Sequence, residues 1–158
     1  MRCLTYFFVT AALSVVAHAG VAERVDDSLS PIGSVDPVMV TPNVSTFDER
    51  DATHVEVQFG WVEYRLNTAK YVGKSARIYY VVPAAVTNLR SPQGLRVDWR
   101  GRRGFANGTA RAGERVLVWS GTVSTARIED ALDLRMSLTL AEVQGPIRFE
   151  SYFEIEVN

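Results

Sequence analysis

Residues 132–140, Leu132-Asp133-Leu134-Arg135-Met136-Ser137-Leu138-Thr139-Leu140, put an apolar side chain at every second position against Asp, Arg, Ser and Thr. A 3.6-residue period cannot gather such a run on one face, whereas a pleated strand with one dry and one wet face does so directly. The stretch just before it is less decided. Ile128, Ala131, Leu132 and Arg135 have the spacing of a helical turn, so a short turn is expected over residues 126–131.

The same period extends in both directions along the chain. Val55, Val57, Phe59 and Trp61 share one phase, and Val62, Tyr64 and Leu66 take the other, which predicts a bulge at Gly60-Trp61 that reverses the inward face. Ala76, Ile78, Tyr80 and Val82 alternate up to Pro83, which lacks the N–H needed to continue a ladder. Leu95, Val97 and Trp99 alternate with Arg96, Asp98 and Arg100 between two turn-forming stretches, 91–94 and 101–104. Residues 115–123 are nearly all apolar at their centre, as expected of a strand covered on both sides. Ile147, Phe149, Phe153, Ile155 and Val157 share a phase and predict one closing strand. With six or seven strands at spacings of about 10–15 residues and no crossover helices, the expected fold is an all-β antiparallel sandwich of immunoglobulin-like size. A small closed barrel is the alternative.

The N-terminal end reads differently. Arg2, an apolar run from Leu4 to Val16 and the small-x-small Ala17-His18-Ala19 form a secretory signal over residues 1–19. The run is shorter than the roughly 18 apolar residues of a membrane span and is broken by Thr10 and Ser14. Residues 20–51 are polar, carry Pro31, Pro37 and Pro42, and predict an extended or partly disordered segment before a single domain over residues 52–158. Cleavage after Ala19 removes Cys3 and His18, leaving His54 as the sole imidazole and no thiol. Export without cysteines fits a bacterial periplasm or cell surface.

That inventory lowers the expectation of catalysis, since most hydrolytic and redox mechanisms need an imidazole, a thiolate or a metal cluster. No cofactor, metal site or nucleic-acid partner is expected. The most distinctive local feature is charge: seven arginines (Arg90, Arg96, Arg100, Arg102, Arg103, Arg111 and Arg115) face only Asp98 and Glu114 between residues 90 and 115. Arg96, Arg100, Arg102, Arg103 and Arg111 are the candidate anion-binding set, with Arg102 and Arg103 on an exposed turn able to grip phosphate or carboxylate groups of a cell-surface polyanion. An ordinary solvated surface is the competing reading. Trp61, Trp99 and Trp119 fall on strands in or beside core phases and read as core packing rather than a carbohydrate-stacking platform, with Trp99, next to the basic turn, the one placed to be an exception at its edge.

From Gly145 to Asn158, a glycine followed by alternating apolar residues running to the last position resembles the closing strand of chaperone-usher pilin subunits. The resemblance implies a sheet edge at Ile147, Phe149, Phe153, Ile155 and Val157 open to strand exchange, and a donor segment within residues 20–51. Three features depart from that pattern: a cysteine pair is missing, Val157 stands where the family has tyrosine, and prolines punctuate the donor segment. The expected function is non-enzymatic binding, either to a protein through a sheet edge or to a polyanion through the arginines. A pilus-like structural subunit is the alternative, followed by a small hydrolase working with two carboxylates.

Overall fold

The computed structural model describes residues 21–31, 38–40, 54–148 and 150–158; the expected signal segment and Phe149 lie outside them. Eleven strands are found among the described residues. In chain order they are β1 (Glu23–Arg24), β2 (Val38–Val40), β3 (His54–Asn67), β4 (Ser75–Val81), β5 (Thr87–Leu89), β6 (Leu95–Gly101), β7 (Gly108–Arg111), β8 (Arg115–Thr122), β9 (Arg127–Thr139), β10 (Val143–Arg148) and β11 (Tyr152–Val157). The helical pieces among those residues are three short 3-10 turns, Ala69–Tyr71, Pro92–Gly94 and Leu140–Glu142.

Every pairing is antiparallel. The order is β1-β11-β4-β8 in one sheet, β2-β3-β9-β6-β7 in a second, and β10-β5 in a small third. Both larger sheets are open at their ends, so the barrel alternative does not hold. The count exceeds six or seven because β1, β2, β5 and β7 span only 2, 3, 3 and 4 residues, too few for a period to register.

The two larger sheets share one core. Ile78, Tyr80, Phe153 and Ile155 of the first and Leu66, Leu95, Trp99 and Leu132 of the second are all fully or almost fully buried. The Tyr80 and Trp99 rings lie 4.8 Å apart across the interior, and those of Tyr64 and Phe153 lie 4.9 Å apart. An aromatic side chain that buries 150–250 Å² gains about 4–6 kcal/mol of transfer free energy before its ordering entropy is subtracted. Trp99 belongs to this core and not to the surface, and its indole N–H donates to the Ala106 carbonyl at 3.0 Å. The tryptophan left outside is Trp61, 50% exposed.

The alternation around residue 60 does reverse at a bulge, one residue earlier than expected. The β3–β9 register shifts between Gln58 and Gly60, and Gly60 takes a φ of +69°, a region that costs any residue with a Cβ. Residues 126–131 form no helical turn, because β9 is already pairing with β3 at Arg127. At its far end β9 stops at Thr139, and Leu140 enters a 3-10 turn 43% exposed.

Two further expectations are corrected. β8 is an edge strand and is not covered on both sides: a bulge at residue 118 turns Val118 and the neighbouring Trp119 toward the core side, while Leu117 remains 43% exposed. The closing strand expected from 147 to 157 is two strands in different sheets, Ile147 lying on β10 beside β5, and Phe153, Ile155 and Val157 on β11 beside β4. A period of two survives that hand-over, so the sequence reads through it. On the outer face of the first sheet, Arg115 ties β8 to β11. Its guanidinium lies 3.6 Å from the Tyr79 ring centre and reaches Glu154 at 2.7 Å and Glu156 at 2.8 Å.

Candidate functional site

The five candidate arginines do not form one cluster. β6 is flanked by β9 and β7, and its outward residues Arg96, Asp98 and Arg100 join Glu56, Asp133 and Arg135 around a shallow depression of about 550 Å³. Three cations and three anions alternate there. Arg96 donates to Asp98 at 2.6 Å and to Thr109 at 3.1 Å, and Arg100 meets Asp133 at 2.7 Å from directly across the ladder. Both guanidiniums therefore already have carboxylate partners, and an incoming anion must compete with them. Arg111 sits opposite Arg96 on the exposed edge strand β7, where its backbone N–H donates to Glu114 at 2.8 Å.

Arg102 and Arg103 lie beyond the other end of β6, in the loop leading to β7. The Arg102 guanidinium is 5.4 Å from the ring centre of the exposed Trp61. This loop is shaped by Asp130, a buried carboxylate on β9 whose oxygens accept backbone N–H bonds from Arg103 (3.0 Å), Gly104 (2.7 Å), Phe105 (2.7 Å) and its own neighbour Ala131 (2.7 Å). Burial pushes the Asp130 carboxyl up, but the four amides together outweigh it and hold it below the ordinary aspartate value. Gly101 completes the turn, since a Cβ there would meet the Phe105 carbonyl oxygen at 1.8 Å.

The strand-exchange candidates divide in a more informative way. β11 pairs with β4 through all six of its residues, whereas its other edge carries only β1 from the N-terminal segment, with Glu23 opposite Ile155 and Arg24 opposite Glu154. One further bond, Val25 N–H to the Phe153 carbonyl at 2.8 Å, ends that contact. Among the described residues β1 stops at Glu23, so Glu156 and Val157 have no strand on that side.

The segment is held by side chains from elsewhere in the fold. The Glu23 carboxylate accepts from the Lys70 ammonium and, at 2.7 Å, from the Tyr71 hydroxyl; both residues belong to the 3-10 turn after β3. Hydrogen bonds from Lys70 and then from Tyr71 hold the Glu23 carboxyl below its ordinary value. Arg24 reaches Glu150 at 3.0 Å and lies 4.8 Å over the Tyr152 ring. Val25, 2% exposed, enters the core. The chain then crosses to β3, where Asn67 N–H donates to the Asp26 carbonyl at 2.8 Å and Arg65 N–H donates to the Ser30 hydroxyl at 2.9 Å.

Sequence reasoning did not single out Glu23, Lys70, Tyr71 or Val25. Contacts separated by 47 and 48 positions leave no local period to read. Among the described residues no helix is long and apolar enough to cross a membrane, and no group of three or more His, Cys, Asp or Glu is arranged to hold a metal ion. No protein-family model, curated protein or solved structure matches this chain.

Proposed function

We propose that this is an exported, non-enzymatic β-sandwich of immunoglobulin-like type that works by β-strand addition at the outer edge of β11, with residues 23–25 as the resident strand. The observation that carries this reading is the asymmetry of β11, which is fully laddered on the β4 side and covered over only two register pairs on the other. A sheet edge with unpaired N–H and C=O groups is a template for another extended chain, and main-chain hydrogen bonds supply the affinity. The polyanion reading has less support, because Arg96 and Arg100 are already neutralised by Asp98 and Asp133.

A pilus-type structural subunit is the second reading. It is favoured by one specific placement, an N-terminal segment running antiparallel along the C-terminal strand. The two readings part on purification: a pilus subunit polymerises with itself or needs a chaperone, and a binding module stays monomeric or forms a small closed oligomer.

Val25 is the apolar anchor of the resident strand, so Val25→Asp places a charge where only a dry seat exists and releases the segment. The full chain carrying this change is expected to take up a fluorescent peptide of residues 21–31 that the unmodified chain excludes, read as polarisation. Val25→Ser is the milder companion, with a strand-dominated circular dichroism spectrum as the check on folding. Exclusion of the peptide by both folded variants would falsify strand addition.

A further inference from the structure

We infer that the outer face of the second sheet binds an acidic polysaccharide built of uronic-acid units, with Trp61 as the stacking plate and Arg102 and Arg135 as the groups that take its carboxylates. This face belongs to the sheet β2-β3-β9-β6-β7 and not to the β11 edge, so the inference stands apart from strand addition.

Trp61 is turned outward by the bulge in β3. Val57 is buried, and unbroken alternation would carry Trp61 to the same dry side, but the register shift between Gln58 and Gly60 sets it opposite Asp133 instead, 50% exposed. Gly60, at a φ of +69°, is the residue that allows this. The Trp61 indole N–H meets no acceptor among the described residues, whereas that of the buried Trp99 is bonded to the Ala106 carbonyl. A large ring held half in water, with a spare donor at its edge, is a surface on which the C–H face of a sugar stacks while a sugar oxygen accepts from the N–H.

The charges beside the ring define the ligand. The Arg102 guanidinium lies 5.4 Å from the ring centre. Across the ladder Trp61 faces Asp133 and Asp133 faces Arg100, and in the neighbouring outward row Arg135 stands between Gln58 and Asp98. Asp133 is taken by Arg100 and Asp98 by Arg96, so Arg102 and Arg135 are exposed guanidiniums outside any ion pair among the described residues. They can receive an anion without first displacing a carboxylate of the fold, which Arg96 and Arg100 cannot.

Glu56, Asp98 and Asp133 line the depression that also holds Arg135, and carboxylates accept hydrogen bonds without donating any. A ligand seated there must therefore bring O–H donors as well as anions. A polyphosphate brings charge alone and is repelled by the three acids, whereas a polyuronate carries a carboxylate on each sugar, hydroxyls around it and an apolar ring face for Trp61. From β3 across β9 to β6 is two strand spacings, about 10 Å, which gives room for two sugar rings in succession.

The test titrates the full chain with a short oligogalacturonate, followed by calorimetric heat and tryptophan emission. The acid form is expected to bind, and its methyl ester, which keeps the hydroxyls and loses the charge, to bind about tenfold more weakly. Trp61→Ala is expected to weaken binding of the acid form about tenfold and Trp61→Phe by less, while Arg102→Gln and Arg135→Gln each lower affinity about fivefold. All three side chains are exposed, so the variants should keep the strand-dominated circular dichroism spectrum of the parent. Absence of binding at millimolar oligogalacturonate, or affinity unchanged in Trp61→Ala, overturns the proposal. Inorganic polyphosphate binding as tightly as oligogalacturonate also overturns it, since the face would then be a non-selective basic surface. Uptake of the residue 21–31 peptide by the Val25→Ser chain should be untouched by Trp61→Ala, so failure of this site and failure of strand addition are read separately.

Discussion

Asp130→Ala is expected to destabilise the protein by about 3–5 kcal/mol, read as a fall in the urea midpoint at unchanged slope. The carboxylate terminates four backbone N–H groups, and those of Phe105 and Ala131 belong to residues that are buried. Each buried donor left without an acceptor costs roughly 1–3 kcal/mol, whereas the N–H groups of the exposed Arg103 and Gly104 recover water at smaller cost. The loss also falls on the hairpin, because among the described residues the one further backbone hydrogen bond from the loop 102–105 to β9 runs from the Arg102 N–H to the Ala131 carbonyl. Asp130→Asn keeps one oxygen but turns an NH2 group toward donors, so an intermediate loss is expected. A carboxyl whose folded pKa lies below its unfolded value stabilises the fold above the unfolded pKa, near 3.9, and loses that contribution as pH falls through the folded value. The difference between wild type and Asp130→Asn should therefore shrink only in acid, below about pH 4. A difference of less than 1 kcal/mol at neutral pH would mean that the loop does not depend on this carboxylate.

Asp130 also shows how far the sequence can be read. It shares the parity of Ile128, Leu132 and Leu134 on β9, but the turn expected over residues 126–131 took it out of the strand, so its place in a core phase was not read. What supplies its partners was not visible, because the amides come from a loop 25–27 positions earlier. The central strands were legible from alternation: β3 with its bulge, β4, β6 and most of β9 each bury one face against the other sheet. The edges were not. In β8 a bulge turns neighbouring apolar residues toward one face and leaves Leu117 in solvent, so an edge strand imitates a buried one. The arginine group looked like a single basic surface only because Asp133, the partner of Arg100, lies 33 positions away. The clamp on the N-terminal segment is a set of pairwise contacts across the fold, and nothing in residues 20–31 alone distinguishes it from a loose extended leader.

Phe153→Ala is expected to cost about 3–5 kcal/mol, the loss of a fully buried aromatic plus the cavity left behind. Its ring contacts three others, Tyr64 at 4.9 Å, Tyr80 at 5.3 Å and Phe105 at 5.6 Å. These come from β3, β4 and the β6–β7 loop, so one deletion loosens both sheets at the point where they meet. Tyr80 cannot swing into the void without straining the 2.7 Å bond from its hydroxyl to Ser151, which limits relaxation and places the cost in the upper part of that range. Phe153→Leu retains most of the volume and should lose less than half as much. The same residue carries the carbonyl that receives Val25 N–H, so the core and the resident strand are coupled through one position on β11. Phe153→Leu combined with Val25→Ser should therefore depart from the sum of the two single losses by at least 0.5 kcal/mol, as contacting residues do. Additive losses would separate the strand seat from the core, and peptide uptake would then depend only on the edge of β11.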